Sequence, residues 1–220
     1  MKCVVMKRLV LSVGAATLLC GALTACVPLV VGGAVAGGSL VATDRRTSGT
    51  QLEDEGIELR ASSRLRSEVG DRAHVNLTSY SRQVLLTGEV PTAQDKQLVE
   101  QIVMRVENVN SVVNELAVMG NAGLTQRSSD TLVTGRVKAM LVDARDLSSN
   151  AFKVVTERGT TYLLGRVTQR EADRATAVVR ATPGVQKVVR IFEIISEDEL
   201  ARMLPAPAKP QPAANKPSAG

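Results

Sequence analysis

Residues 84–90 of this chain read Val84-Leu85-Leu86-Thr87-Gly88-Glu89-Val90, and residues 162–167 read Tyr162-Leu163-Leu164-Gly165-Arg166-Val167. Gly88 aligns with Gly165 and Val90 with Val167 at an offset of 77. Downstream, Val109-Asn110-Ser111-Val112-Val113-Asn114-Glu115-Leu116 matches Val185-Gln186-Lys187-Val188-Val189-Arg190-Ile191-Phe192 at an offset of 76, so one residue is dropped in the helical pattern between. Self-similarity of this kind marks a duplicated supersecondary unit rather than one irregular domain.

Each copy reads alike. A first helix, over residues 56–69 and 130–147, precedes two short strands, over 74–79 with 83–90 and over 151–156 with 161–167. Arg158-Gly159 suits the tight turn of the second hairpin, where glycine supplies a positive φ. A second helix starts near Thr92 and near Gln169, with Pro91 tolerated where helical N–H groups lack partners. Leu98, Ile102 and Val106 form one apolar stripe at helical spacing, facing a sheet. A closing strand ends each copy. The order α-β-β-α-β places a helical crossover between the second and third strands, making those two parallel and putting both helices on one face. The expected class is α+β: two tandem αββαβ modules, each a small three-stranded mixed sheet with two helices on one face. The modules are expected over 56–120 and 128–196.

The flanks carry a different grammar. Lys2, Lys7 and Arg8 precede an uncharged apolar run over residues 9–25 that ends in Leu23-Thr24-Ala25-Cys26. That is a basic start, an apolar core and small residues before a cut. Met6 serves as a start as well as Met1. The Leu-Thr-Ala-Cys ending resembles the lipobox of bacterial lipoproteins, which implies a signal peptide over 1–25 and a diacylglycerol on the Cys26 thiol. An uncleaved membrane-spanning helix is the rival, but Pro28, Gly32-Gly33 and Gly37-Gly38 interrupt the continuing apolar stretch. Residues 26–55 read as the lipidated N-terminus and a flexible tether, about 30 residues reaching roughly 30 Å. Residues 197–220 begin with the helix-start signal Glu197-Asp198-Glu199. They end in a Pro/Ala-rich tail that buries too little to fold, suited to a spacer or to partner binding.

Loss of residues 1–25 recasts the charge. It removes three of the 27 basic residues and none of the 22 acidic ones, leaving 24 against 22. A concentrated basic face is missing, so nucleic acid is not an expected partner. Of the three cysteines, Cys3 and Cys20 leave with the signal and Cys26 carries lipid, so no disulfide is expected.

The hydrophobic-x-Gly-x-Val strand end, the later Gly-Val-x-x-Val-Val, and the entry segments Ser48-Gly49-Thr50-Gln51 and Ser129-Asp130-Thr131 together resemble the BON domain, over about residues 50–196. With the lipobox, the whole is similar to dual BON-domain outer-membrane lipoproteins. The resemblance implies a non-enzymatic envelope protein that supports outer-membrane integrity and is linked to envelope stress and division. It implies contact with the membrane and with envelope or division proteins. It also implies that the first helix of the second module binds anionic phospholipid. There Val133, Val137, Leu141 and Ala144 make the core stripe, while Leu132, Arg136, Ala139, Met140 and Asp143 fall on an adjacent face. Leu and Met beside Arg suit a shallow contact, carbon entering the interface and guanidinium meeting phosphate. Leu132 and Met140 fit equally a wider core stripe or a contact with the first module. Phe192 is a further candidate for the same patch, although a core position is the favoured reading. The alternative is a lipid-anchored protein-interaction adaptor without intrinsic lipid binding.

Catalytic chemistry is not evident. His74, the single histidine, has no Cys or second His beside it and reads as a surface residue, so no metal site is expected. Ser62-Ser63 and Ser128-Ser129 have no evident base. Glu53-Asp54-Glu55 reads as negative charge at a helix start. No cofactor is expected beyond the acyl lipid on Cys26.

Overall fold

A computed structural model describes residues 44–120 and 123–203. The expected signal peptide, Cys26 and the Pro/Ala-rich tail lie outside the described residues. The first module comprises α1 (Ser48–Glu68), β1 (His74–Tyr80), β2 (Gln83–Val90), α2 (Ala93–Met104), β3 (Ser111–Asn114) and β4 (Ala117–Val118). The second comprises α3 (Leu124–Asp143), β5 (Lys153–Glu157), β6 (Thr160–Thr168), α4 (Gln169–Arg180) and β7 (Lys187–Ile195), followed by α5 (Glu197–Met203). The α-β-β-α-β order therefore holds in both copies.

Within each sheet the pairing follows from the connections. β1 and β2 are antiparallel, joined by a turn at Ser81 and Arg82 with φ of 50° and 67°. β5 and β6 repeat this through Arg158 and Gly159, with φ of 52° and 71°. After the helical crossover, β3 and β4 lie parallel to β2, and β7 lies parallel to β6. The first closing strand is broken at Glu115-Leu116, where Leu116 turns into the core. The crossover helices start with the same cap: Thr92 Oγ1 accepts from Asp95 N, and Thr168 Oγ1 accepts from Glu171 N in a full capping box.

The aligned glycines have a steric cause. A Cβ at Gly88 would lie 2.1 Å from the His74 carbonyl oxygen, and one at Gly165 would lie 2.4 Å from that of Ala151. Each marks the place where the second strand passes closest to the start of the first, and only a hydrogen side chain fits.

Strand parity then sorts the side chains. Val84, Leu86 and Val90 meet Ile57, Ala61 and Leu65 of α1 and Val99, Ile102 and Val103 of α2. In the second module Leu163 and Val167 meet Val133, Val137 and Leu141 of α3 and Ala172, Ala175 and Val179 of α4. The opposite sheet faces pack on each other. Tyr80 and Leu85 of one module, with Tyr162, Leu164 and Ile191 of the other, form a third apolar cluster, so the described chain is a helix–sheet–sheet–helix stack. The junction repeats itself with the 77-residue offset. Asn76 donates to Glu157 at one end, while at the other Lys153 donates to the carbonyl of Ser79, next to Tyr80. The two modules thus meet as a pseudo-twofold dimer within one chain.

Two boundaries differ from expectation. α1 begins at Ser48, so residues 48–55, assigned to the tether, are helical, and Asp44–Arg46 are already packed. The Thr47 side chain caps α1, Arg46 pairs with Asp54 at 2.9 Å, and Arg45 reaches across to Glu171 at 2.7 Å. α3 begins at Leu124 rather than Asp130 and ends at Asp143, ahead of the expected residue 147. Its polar first turns have no apolar stripe to announce them.

Candidate functional site

α3 is positioned by its buried side. Val133, Val137, Leu141 and the cap residue Ala144 are all under a tenth exposed and hold the helix against β5 and α4. The face turned away from that core is open to water. Leu132 is 64 % exposed, Met140 41 % and Val142 64 %, with Arg136, Ala139 and Asp143 exposed among them. The chain therefore brings five of the sequence candidates together on one solvent face of one helix. Leu132 and Met140 stay exposed and do not widen the core. Val142 is an addition that heptad-like spacing from the core stripe did not single out. Arg136 lies beside the loop before β7, where Gly184, at φ of 98°, passes under Val133.

Phe192 does not join this face. It is half-buried against the second core, edge-on to Phe152 at a centroid distance of 6.0 Å and an interplanar angle of 70°. Its register partner is Gly165, whose missing side chain leaves room on the helix side of the sheet. That is the core position the sequence favoured for it.

The other flank of α3 borders the first module. A groove of about 570 Å³ runs there, lined by Arg127, Thr131 and Lys138 of α3, by His74 and Asn76 of β1, and by Glu157 of β5. His74 is not a plain surface residue. Its side chain is 22 % exposed, and Nδ1 lies 3.1 Å from Oε2 of Glu89, which is fully buried. Burial pushes the Glu157 carboxyl above the usual carboxylate range; Asn76 opposes this by hydrogen bonding and the nearby Glu89 adds to it. At the opposite end of the junction, Glu171 behaves in reverse. Burial would raise it, but the Arg45 guanidinium and the Thr168 N–H hold its carboxyl below the ordinary value.

Asp54 is the residue that sequence reading misjudged most. It is 2 % exposed and does not serve the helix dipole. Instead it accepts hydrogen bonds from Ser79 Oγ at 2.7 Å, Ser81 N at 2.8 Å and Arg82 N at 2.8 Å, clamping the first hairpin turn to α1. Asp130 does the same in the second module, accepting from Arg158 N at 2.8 Å and Gly159 N at 3.0 Å. Their 76-residue offset is that of the duplication, a signal present in the sequence from the start.

The BON domain family matches residues 53–120 and 129–195, the two modules just described. The outer membrane lipoprotein DolP of Haemophilus influenzae is 37 % identical over 193 residues, covering 86 % of this chain and 97 % of that protein. This chain belongs to the dual BON-domain outer-membrane lipoproteins. The 21 kDa hemolysin of Actinobacillus pleuropneumoniae is 30 % identical over 154 residues, covering 69 % of this chain and 79 % of that one. The osmotically-inducible protein Y of Escherichia coli K12 is 27 % identical over 159 residues, covering 69 % and 77 %. The lipoprotein described here is thus tied to the outer membrane and to envelope function. Among the described residues no helix is long and apolar enough to cross a membrane.

Proposed function

We propose that this BON-domain lipoprotein is held at the outer membrane, facing the periplasm, by acyl chains on Cys26. Its second module then binds anionic phospholipid through α3, and the protein supports envelope integrity, stress response or division without catalysing a reaction. One observation carries the lipid contact: Leu132, Met140 and Val142 stand exposed around Arg136 on a helix whose other side is fully used by the core. Full burial of a Leu or Met side chain is worth about 1.5–3 kcal/mol, so apolar side chains on this face entering the interface add a contact of the module itself to that of the acyl anchor.

The test is vesicle co-sedimentation of the chain from residue 27 onward, free of the anchor. Leu132→Glu and Met140→Glu should each weaken binding to anionic vesicles by roughly tenfold or more, as the lost burial implies. Melting temperature should not change. Binding that survives both substitutions contradicts the reading. A second reading, the adaptor, draws on Leu52 and Leu59, 68 % and 71 % exposed on α1. Under it, the anchor-free chain ignores every vesicle but retains defined envelope proteins, and loses them on Leu59→Glu.

A further inference from the structure

The junction between the modules holds three metal-ligating side chains from three strands. His74 of β1, Glu89 of β2 and Glu157 of β5 place one ligand atom each within 4.8 Å of one another. Glu89 is the telling member. Its side chain is fully buried, and its Oε1 has no hydrogen-bond partner. A buried carboxylate oxygen without a hydrogen bond is costly, and proteins answer that cost with a close cation or a bound metal. The partly exposed Arg158 guanidinium forms only a long ion pair with Oε1, at 3.8 Å and without a hydrogen bond. At the opposite end of the pseudo-twofold junction the chain supplies its own cations: Arg45 meets Glu171 at 2.7 Å and Arg46 meets Asp54 at 2.9 Å.

We propose that His74, Glu89 and Glu157 form a Zn²⁺ site that joins the two modules. One imidazole nitrogen and one oxygen from each carboxylate make a three-ligand set, borderline-soft with hard, which suits zinc. The groove beside His74 and Glu157 gives water access to the fourth position. Zinc bond lengths of about 2.0–2.2 Å require the ligand atoms to close up by roughly 1 Å, a side-chain adjustment. Asn76 donates to Glu157 Oε2 at 2.8 Å and orients that carboxylate while leaving its other oxygen free to ligate. The ion would compensate the buried Glu89 charge and tie β1 and β2 of one module to β5 of the other.

The test is calorimetric titration of Zn²⁺ into the full chain, purified in detergent and stripped by chelator, at neutral pH. One saturable Zn²⁺ per chain is expected, with a rise in melting temperature on binding. His74→Ala and Glu157→Gln should each weaken the site at least tenfold, since loss of even an outer-shell partner costs about 10–100-fold. His74 is partly exposed, so His74→Ala decides alone if the buried variant misfolds. Substituting Co²⁺ should give a visible absorption band that the His74→Ala chain lacks. Absence of saturable binding, or binding and a Co²⁺ band that His74→Ala leaves unchanged, overturns the proposal.

Discussion

Replacing Asp130 or Asp54 by alanine tests whether the buried carboxylates, and not the turns alone, fix the hairpins. Asp130→Ala strands two backbone donors, Arg158 N and Gly159 N. At about 1–3 kcal/mol per buried unsatisfied group, the loss is about 2–5 kcal/mol after partial hydration. Asp54→Ala strands three donors and removes one of the two carboxylates on the Arg46 guanidinium, which keeps Asp44 at 2.8 Å. With a third stranded group the loss rises to about 3–7 kcal/mol after partial hydration, so Asp54→Ala is the more damaging of the two. For a folded unit of this size, each kcal/mol lowers the melting temperature by about 2–4 °C, giving drops of roughly 4–20 °C and 6–28 °C. Differential scanning calorimetry reads both. Asp143→Ala, on the exposed face of the same helix as Asp130, is the control and should stay within about 0.5 kcal/mol. If Asp54→Ala melts with that control, the hairpin-clamp account is wrong.

Gly165→Ala should destabilise the second module by about 1–3 kcal/mol through the close approach to the Ala151 carbonyl, and Gly88→Ala by more because its φ is 112°. Urea midpoints equal to that of the parent chain would contradict the steric account. Glu157 gives a pH test in the presence of chelator. Its folded pKa lies above the ordinary 4.5, so the native state holds this proton longer than the unfolded chain. The stability it contributes is complete below the unfolded value and is lost as pH rises through the folded one. Glu157→Gln should therefore raise the urea midpoint at neutral pH and flatten the decline above about pH 4.5; superimposable profiles would refute the assignment. Tyr162, buried at the junction and pushed up to about 12, should show the same sense at alkaline pH. Stability should fall between about pH 10 and 12, and Tyr162→Phe should lessen that fall, Tyr80 being raised by burial in the same sense; a phenolate absorbance midpoint near 10 in the folded chain contradicts it.

Much of the architecture was legible because duplication states it twice. The offset of Gly88 and Gly165 placed the strands, and the α-β-β-α-β order dictated the parallel pair. The core stripe of α3 was legible too, since Val133, Val137 and Leu141 recur at helical spacing. What escaped had no periodic signal. Ser48–Glu55 and the first turns of α3 are polar, held by a cap or by tertiary contacts rather than by an apolar face. Thr87 and Glu89 are polar yet buried, so the far side of β2 carries no continuous apolar pattern that would announce a sheet–sheet contact. Asp54 was hidden in an acidic triplet, where a buried clamp and a solvated helix start look alike. His74 lacked a sequence neighbour for metal binding because its companions arrive from β2 and β5.

The lipid contact on α3 is the central claim, and the chain offers a clean probe because it contains no tryptophan. Leu132→Trp in the chain from residue 27 onward places a single indole at the centre of the exposed face, and Leu59→Trp places one on α1 as a reference. Emission is recorded with anionic and with neutral vesicles. The account predicts a blue shift for Leu132→Trp with anionic vesicles only, reversed by added salt, and none for Leu59→Trp. An unshifted Leu132→Trp spectrum, or equal shifts at both positions, would contradict it.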